Sequence, residues 1–302
     1  MHRACQCAHI SMTKRNICFI FNPISGARRL GRLENLVREH LDLDKFDFAV
    51  RETSSPKDAM RLASEAVRDN FDIVVAVGGD GTINEIVQGM GSNPLILGII
   101  PVGSGNGLAR HLGIPLEPEK ALRTINAMNI RKIDTATING YPFVSIAGLG
   151  FDARVANRYK KVRKRGFLSY SRIVAREYFR YREREFILKF NDQVLTRKAL
   201  LLSVANSNQF GYNTIIAPHA EPDDGLLDIV ITKKFPMGEL PRMVNLLFTG
   251  KIDQSSYIES YKASEIFILR KRGKRVNIDG EAVRMGQQIF IRIQPSSLEV
   301  IC

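Results

Sequence analysis

The 302-residue sequence contains no uncharged apolar run of about 18 residues, the length that a membrane-spanning helix requires. It has only four cysteines, Cys5, Cys7, Cys18 and Cys302, and the first two stand too close together for a disulfide framework. No further Cys or His stands at the spacing of a zinc site. A reducing, cytoplasmic compartment is therefore the simplest expectation.

The first 11 residues also lack the long apolar centre of a signal peptide. Met12 stands directly before the first predicted strand. We therefore expect residues 1–11 to be a disordered extension, or the product of a start codon placed too early.

Two common nucleotide-binding signatures are missing as well. No Gly-x-x-x-x-Gly-Lys-Ser/Thr motif occurs, and Gly103 and Gly105 are followed by Leu108 where the dinucleotide fingerprint requires its third glycine. These absences argue against a P-loop NTPase and against a NAD-type Rossmann domain.

The stretch from 72 to 85 combines a buried strand, a glycine turn and a helix start. Residues 73–77 form an apolar, mostly β-branched run, which is typical of a parallel strand buried on both faces. Three glycines within 78–81 permit a sharp turn, and a helix predicted over 82–89 would point its N-terminus at the same place. The pattern predicts a phosphate cradle in which Asp80 would hold Mg²⁺ or position a group that does. A plain β-α turn is the alternative.

Two further strands are predicted to end in loops of the same kind. A strand over 17–21 leads into Asn22-Pro23-Ile24-Ser25-Gly26, and one over 95–100 leads into the glycine-rich residues 101–107. Because open α/β sheets bind ligands at the carboxyl ends of their strands, we expect these loops to meet the first one. For residues 22–26 taken alone, an ordinary turn is the alternative. The alternation of strands and helices predicts the α/β fold class, with an N-terminal three-layer nucleotide-binding domain on a parallel sheet.

From about Arg131 the alternation gives way to successive short strands. They are predicted over 132–138, 141–146, 186–190, 193–204, 226–231, 265–269, 275–278 and 288–293. This pattern predicts a C-terminal antiparallel β-sandwich domain. We expect residues 12–130 to form the first domain and 131–293 the second. The final strand, about 294–302, is a candidate to return to the first domain.

A basic helical insert is predicted at 154–184, and it carries much of the net charge of +13. It holds twelve Lys or Arg against Glu177 and Glu183. Aromatic residues are interleaved with these charges: Tyr159, Phe167, Tyr170, Tyr178, Phe179 and Tyr181. The composition suits an anionic membrane interface. Nucleic-acid binding and a merely solvated helix pair are the alternatives.

Two acidic turns complete the set of candidate sites. The turn from 221 to 226 could wrap a hard cation with Asp224 and nearby carbonyl groups, or it is a plain hairpin turn. In Asp279-Gly280-Glu281, a carboxylate at a strand end could accept a proton from an attacking hydroxyl.

Five of these motifs occur in the order found in the diacylglycerol kinase and sphingosine kinase superfamily, which the chain resembles from Met12 onward, particularly in its bacterial lipid kinase branch. They are Asn22-Pro23 with Ser25-Gly26, Gly78 to Thr82 with Asn84-Glu85, Pro101 to Asn106, Asp223 to Gly225, and Asp279 to Glu281. The resemblance implies a nucleotide-binding domain, a lipid-binding β-sandwich and a cleft between them.

The resemblance also implies roles for individual residues. ATP is expected to contact Asn22, Pro23, Ile24, Ser25, Gly26, Thr53, Gly78, Gly79, Asp80, Gly81, Thr82, Ile83, Asn84, Glu85, Ser104 and Asn106. A structural Mg²⁺ is expected at Glu221, Asp224 and Leu226. Asp279 or Glu281 is the expected proton acceptor, and Asp80 is expected to help organise the catalytic metal. Ser104 stands where bacterial diacylglycerol kinases commonly have Thr, so either a diacylglycerol-like or a sphingoid-type lipid remains open as substrate.

The predicted function is an ATP-dependent lipid kinase that uses Mg²⁺ and associates peripherally with the inner face of an anionic membrane. No nucleic-acid partner is expected, and homodimerisation is kept as an expectation. Two alternatives stay open: a kinase of a soluble acceptor related to NAD kinase, and a nucleic-acid-binding protein that senses a nucleotide.

Overall fold

The computed structural model describes residues 14–23, 30–159 and 167–302. The predictions for residues 1–11, for Ile24, Ser25 and Gly26, and for the middle of the basic insert at 160–166 lie outside the described residues. The side chains of Tyr159, Phe167 and Tyr170 lie outside them as well.

The N-terminal part alternates strands and helices around a parallel sheet. Its elements are β1 (Arg15–Phe21), α1 (Leu30–His40), β2 (Phe46–Glu52), α2 (Asp58–Arg68), β3 (Ile73–Gly78), α3 (Asp80–Met90), β4 (Ile96–Pro101), α4 (Gly107–His111) and α5 (Pro118–Ala127). The parallel strands stand in the order β2-β1-β3-β4. The helix α1 contacts α5, and α2 contacts α3, as expected when right-handed crossovers put α1 on one face of this strand order and α2 and α3 on the other. This is the predicted three-layer arrangement.

The β3–α3 junction shows why the local sequence folds in this way. Every residue of β3 is buried, as expected for an apolar strand covered on both faces. The helix begins at Asp80, two residues earlier than predicted, because the N–H groups of Thr82 and Ile83 already bond to the Gly79 carbonyl at 2.9 and 3.1 Å.

The C-terminal part consists mainly of antiparallel strands. Its elements are β5 (Ile130–Ile138), β6 (Tyr141–Phe143), β7 (Ile146–Gly150), α6 (Phe151–Tyr159), α7 (Phe167–Arg180), β8 (Arg184–Phe190), β9 (Gln193–Ala199), β10 (Leu201–Ala205), β11 (Leu227–Thr232), α8 (Leu240–Thr249), β12 (Ile258–Ala263), β13 (Glu265–Arg270), β14 (Lys274–Ile278), β15 (Glu281–Met285) and β16 (Gln288–Ile301). One antiparallel sheet has the order β12-β11-β10-β7-β14-β15. Buried side chains from this sheet and from β5, β8, β13 and β16 form one sandwich core.

The long strand β16 joins the two parts of the molecule. Its first half pairs antiparallel with β13, and Glu299 and Val300 pair in parallel with Ile96 and Leu97 of β4. The parallel sheet therefore continues into one layer of the sandwich as a ten-stranded sheet. The predicted fold class, a parallel α/β domain followed by an antiparallel β-sandwich, is confirmed.

Some predicted strands differ from the observed ones. The strand predicted over 141–146 divides into β6 and β7, because the N–H groups of Val144 and Ser145 bond to the Asp279 carboxylate instead of a strand ladder. The strand predicted over 193–204 divides at Leu200, where the chain passes from one sheet to the other. The sequence patterns missed α5, β12, β15 and α8.

The described part of the basic insert packs two of its aromatic residues inward. Tyr178 and Tyr181 are buried against Phe151, and the Tyr178 hydroxyl donates to the Phe235 carbonyl at 2.6 Å. The rings of these two tyrosines therefore belong to a hydrophobic core beside α6. Phe179, in contrast, is 66% exposed.

Within the described ranges, no helix combines the length and the apolar character needed to cross a membrane.

Candidate active site

Two of the predicted glycine loops touch at the carboxyl ends of β3 and β4. A Cβ at Gly103 would clash with the Gly79 backbone, and a Cβ at Gly79 would lie 3.1 Å from the Gly103 Cα. The N–H groups of Val102 and Gly103 both donate to the Gly78 carbonyl, at 3.0 and 3.1 Å. Glycine is required here because the two backbones approach too closely for side chains.

Asn106 stabilises this loop pair from one side. Its backbone is left-handed (φ 55°), and its Nδ2 donates to the Gly103 carbonyl at 2.9 Å. Its Oδ1 is buried and accepts no hydrogen bond from any residue that the structure describes. A ligand donor at the loops would satisfy this acceptor, which otherwise stays buried at a cost.

The loop after β1 meets the loop after β3. Asn22 Nδ2 donates to Thr82 Oγ1 at 3.2 Å, and the Asn22 N–H donates to the Val77 carbonyl at 3.1 Å. Thr53, which follows β2, is buried and its N–H donates to the Phe21 carbonyl at 2.9 Å. The predicted residues of three neighbouring strands thus meet at one sheet edge, as the strand order requires. Ser104 is exposed beside them.

Asp80 begins α3 between the glycine loops. Its Oδ1 accepts the Leu108 N–H at 3.3 Å, and a Cβ at Gly105 would lie 3.1 Å from its Oδ2. Burial raises the pKa of Asp80 to about 6, and the negative charge of Asp279 raises it further. Asp80 and Asp279 are therefore electrostatic neighbours although 199 positions separate them.

Asn84 connects the nucleotide side to the sandwich. Its Nδ2 donates to Asp279 Oδ2 at 2.8 Å and to the Pro142 carbonyl at 3.1 Å, while its Oδ1 accepts from Gln88 Nε2. The carboxylate-bearing turn predicted after β14 therefore lies against the first turns of α3.

Asp279 is surrounded by donors. Its Oδ1 accepts the N–H groups of Ser145 (3.0 Å) and Ile146 (2.9 Å), and its Oδ2 accepts that of Val144 (2.8 Å) as well as Asn84 Nδ2. Burial raises the pKa of Asp279, and these hydrogen bonds oppose that rise. Four donors use all the lone-pair positions of a carboxylate.

Glu281 lies on the other side of the same turn. Asp279 and Gly280 both have positive φ (45° and 90°), as a two-residue hairpin between β14 and β15 requires. Glu281 is half-buried, and its charge contributes to the raised pKa of Glu85, whose main cause is burial. Glu85 Oε1 accepts the Lys57 N–H at 3.1 Å.

The predicted metal turn at 221–226 is built differently. Asp224 Oδ2 lies 2.6 Å from Lys262 Nζ, and Asp224 Oδ1 accepts the Leu226 N–H at 3.0 Å. Glu221 is 60% exposed and lies 3.9 Å from Arg131. Across the described ranges, no group of three or more His, Cys, Asp or Glu has metal-binding geometry. The predicted Mg²⁺ ligands, one carboxylate and two carbonyl groups, are not a group of that kind, so the Mg²⁺ at this turn stays a prediction.

One buried carboxylate near the site was missed. Asp152 is 6% exposed, and its Oδ2 accepts a hydrogen bond at 2.6 Å from Nδ2 of Asn277, which lies on β14 two positions before Asp279. A Cβ at Gly148 would clash with this carboxylate. The sequence pattern that could have pointed to Asp152 is a glycine-rich strand followed by an aspartate, Gly148 to Asp152.

Both parts of the chain match known families. Residues 16–138 match the diacylglycerol kinase catalytic domain, and residues 145–302 match the YegS C-terminal NAD kinase beta sandwich-like domain.

Relatives and solved structures extend this match over most of the chain. A diacylglycerol kinase of Bacillus subtilis is 32% identical over 276 residues, which is 87% of this chain and 88% of the relative. A diacylglycerol kinase of Staphylococcus saprophyticus is 26% identical over 87% of each chain. A crystal structure of a diacylglycerol kinase from Bacillus anthracis shares the fold, with a TM-score of 0.73, 21% identity, and coverage of 95% of this chain and 96% of that one. Since both domains match in order, and the Bacillus subtilis relative matches along nearly all of its length, the chain belongs to the diacylglycerol kinase family and is a lipid kinase.

Proposed function

We propose that this lipid kinase transfers the γ-phosphoryl group of Mg·ATP to a lipid hydroxyl, with diacylglycerol as the acceptor class. The observation that carries the proposal is the 2.8 Å hydrogen bond from Asn84 to Asp279. It places the glycine loops at the start of α3 beside the carboxylate hairpin of the sandwich. Phosphate-binding backbone and a proton acceptor are thus adjacent, as phosphoryl transfer requires.

The glycine loops suit the phosphates of ATP. The touching backbones at Gly79 and Gly103 leave no side chain in the cradle, and nothing lies within 4 Å of where a Gly81 Cβ would be. The helix α3 begins at Asp80 beside this opening, and a helix N-terminus favours anions. Asn22, Thr53, Ser104 and the buried acceptor of Asn106 would line the rest of the nucleotide site. Pro23, Ile24, Ser25 and Gly26 are assigned to it from the family resemblance.

Asp80 is the proposed ligand of the Mg²⁺ that accompanies ATP. Such an ion commonly uses one or two carboxylates, with phosphates and waters as its other ligands, and Asp80 between two phosphate-binding loops fits that donor set. Mg²⁺ would neutralise charge on the transferring phosphates. At the turn 221–226 the Lys262 ammonium lies beside Asp224, and no step is assigned to this turn.

Glu281 is the proposed proton acceptor, and Asp279 is a positioning residue. All four lone-pair positions of Asp279 accept N–H donors, so this carboxylate has no free position for a substrate hydroxyl. The same bonds fix the hairpin that carries Glu281. Glu281 is half-buried two residues further on, where a lipid hydroxyl in the cleft can approach it.

The helices α6 and α7 are the proposed membrane contact. Arg172, Arg176 and Arg180 are exposed on α7, with the exposed Phe179 between them. Cations near an anionic surface contribute about 1 kcal/mol each. This supports a peripheral association with the cytoplasmic face of a membrane, where ATP and lipid meet.

The proposal is tested by incubating the purified protein with γ-labelled ATP, Mg²⁺ and mixed micelles. Separate reactions contain diacylglycerol, a sphingoid base, ceramide or NAD as a soluble acceptor. We expect label in the organic phase with diacylglycerol. Label on the sphingoid base alone would show that the acceptor is a sphingoid-type lipid, the alternative that Ser104 leaves open. Label on NAD without any labelled lipid would overturn the proposal.

A further inference from the structure

A cavity of about 530 Å³ lies away from the hairpin that carries Glu281. It is bounded by the start of α6, the start of β8 and the β13–β14 connection. Lys274, on its wall, stands five positions before Asp279 on an extended strand, roughly 16 Å away at about 3.3 Å per residue. The cavity is therefore separate from the site of phosphoryl transfer.

The wall of this cavity is strongly basic. Eight of its fifteen lining residues are Lys or Arg, and only Glu183 and Glu185 are acidic. Glu185 forms an ion pair, with its carboxylate 3.2 Å from Lys271 Nζ. Glu183 accepts a hydrogen bond from the backbone N–H of Lys234 at 2.7 Å. Arg154 is paired with Glu177 outside the cavity.

Six cations on the wall have no carboxylate within 4.0 Å among the described residues. They are Arg184, Lys198, Arg270, Arg272, Lys274 and Arg275. No Asp or Glu occurs in the segments that the structure does not describe, residues 1–13, 24–29 and 160–166. Among the described residues, Glu183 is the one wall carboxylate without an ion pair, so the six cations exceed the unpaired acidic charge by five.

Two side chains at the back of the cavity are buried and polar. Arg270 is 7% exposed, and its guanidinium donates to the carbonyls of Lys274, Met285 and Gly286 at 2.8 to 3.0 Å. Burial and the nearby charge of Arg184 lower the pKa of Arg270 to about 10. A neighbouring anion would relieve this repulsion.

Tyr181 supplies a second buried group. It is 2% exposed; its hydroxyl makes no hydrogen bond of normal distance and angle to another described residue, and Arg184 is the side chain placed to donate to it. The guanidinium carbons of Arg184 and Arg154 lie 5.3 and 5.9 Å from the centre of its ring. A hydroxyl donor between guanidinium groups matches the acceptor oxygens of a phosphate.

We propose that this cavity binds a phosphate group, carried by the headgroup of an anionic phospholipid or present as free phosphate. Guanidinium forks recognise phosphate oxygens bidentately, and six uncompensated cations favour a charged phosphate over a neutral ligand. The cavity lies at the base of α6 and α7, so a headgroup held there would fix the orientation of the enzyme on a membrane. The proposal does not depend on the identity of the lipid substrate.

The first arm of the test measures free phosphate. Thermal unfolding of the full chain is followed with sodium phosphate or sodium chloride at equal ionic strength, for the wild type and for Arg184→Gln/Arg275→Gln. Arg32→Gln/Arg123→Gln is the matched control, since both arginines are exposed on α1 and α5. If the Arg184→Gln/Arg275→Gln variant does not fold, Lys274→Gln/Arg275→Gln is measured in its place, because both of its changes are at exposed side chains. We expect phosphate binding roughly tenfold weaker in the cavity variants and unchanged in the control.

The second arm measures lipid. Cosedimentation with phosphatidylcholine vesicles containing phosphatidylglycerol is compared among the same variants, with and without added phosphate. Weaker binding of the cavity variants than of the control, with competition by phosphate, identifies the headgroup as the ligand. Equal vesicle binding together with a lost phosphate response identifies free phosphate. If the cavity variants match the control in both arms, the proposal is wrong.

Discussion

At the scale of single residues, the two carboxylates of the Asp279-Gly280-Glu281 hairpin differ in what surrounds them. Asp279 is 6% exposed and accepts four hydrogen bonds, while Glu281 is half-buried and contributes to the raised pKa of Glu85. The hydrogen bonds of Asp279 hold the surrounding backbone in place and use all of its lone pairs. Glu281, two positions further on, is therefore the better acceptor for a substrate proton.

We therefore predict that Glu281→Gln lowers kcat by about 10² to 10⁴ with little change in Tm, because only proton transfer is lost. Asp279→Asn should instead lower Tm, because an amide NH₂ would face N–H donors and leave them unpaired, at roughly 1–3 kcal/mol each. Steady-state kinetics and thermal unfolding separate the two effects. Glu265→Gln, an exposed position on β13, is the control. Near-normal turnover of Glu281→Gln would contradict the assignment.

Asp152 sets a pH dependence of stability. Burial raises its pKa from 3.8 to about 6, and the Asn277 amide opposes that rise. Because the folded pKa is the higher one, the contribution of Asp152 to stability is complete below about pH 3.8 and is lost as pH rises through about 6.

Asp152→Asn should therefore stabilise the protein at pH 8, by up to about 3 kcal/mol at roughly 1.4 kcal/mol per pKa unit, and should do little near pH 4. The amide oxygen can still accept from Asn277. Urea unfolding at both pH values measures the difference from wild type, with exposed Asp44→Asn as the control. A stabilisation that is equal at both pH values would show that Asp152 titrates normally.

At the scale of elements, α3 and α1 offer a matched pair of glycines. Gly81 in α3 and Gly31 in α1 both lie inside helices, and a Cβ at either would meet nothing within 4 Å. Only Gly81 faces the proposed phosphate cradle.

Alanine at either position should raise helix stability slightly, by up to about 1 kcal/mol. Gly81→Ala should also raise the KM for ATP at least roughly tenfold, because its methyl group would stand where phosphate approaches the backbone. Gly31→Ala should leave the KM for ATP unchanged. Equal KM values in the two variants would place the nucleotide elsewhere.

The β11–β12 region carries an ammonium where a metal was predicted. Lys262 Nζ lies 2.6 Å from Asp224 and 3.4 Å from Asp228, and it donates to the His219 carbonyl at 2.9 Å. The Lys262 ammonium thus meets two carboxylates and a carbonyl, which is the donor set of a hard cation.

Without nucleotide, EDTA should leave the Tm of the wild type unchanged. Lys262→Met should lower Tm and make it respond to Mg²⁺, because two carboxylates then lack a counter-charge. Differential scanning calorimetry with and without Mg²⁺ measures both. A wild-type Tm that falls with EDTA would instead support the metal predicted at Glu221, Asp224 and Leu226.

At the scale of the whole molecule, the surplus of positive charge is unevenly distributed. Arg172 and Arg176 are exposed on α7, and the cavity at the base of α6 and α7 adds six uncompensated cations. Screening shortens the reach of such charges from about 10 Å at 0.1 M salt to about 3 Å at 1 M.

Binding to phosphatidylglycerol vesicles should therefore fall steeply with salt, and Arg172→Glu/Arg176→Glu should weaken it roughly tenfold or more at low salt. Arg32→Glu/Arg123→Glu makes the same charge change on the other domain and should have little effect. Cosedimentation measures both variants. Salt-independent binding would contradict an electrostatic contact through α7. Homodimerisation stays a prediction that light scattering can measure.

Much of the fold was predictable because its signals are local. The apolar run of β3 followed by three glycines predicts a strand, a turn and a helix from neighbouring residues alone. The divisions at Val144 and Leu200 were not predictable, because they depend on hydrogen bonds to Asp279 and Thr232, far along the chain. Predictions for Ile24, Ser25 and Gly26 lie outside the described residues and stay predictions.

The sequence by itself determined the domain types, the lipid kinase family and the position of each glycine loop, since motif order and spacing are properties of the chain. Only the tertiary structure decided which carboxylate of the hairpin is saturated, which cation lies beside Asp224, and that Arg184, Arg270 and Arg275 line one cavity. These facts depend on contacts between residues tens to hundreds of positions apart. Burial, hydrogen bonding and charge at such contacts arise only when the sheets pack.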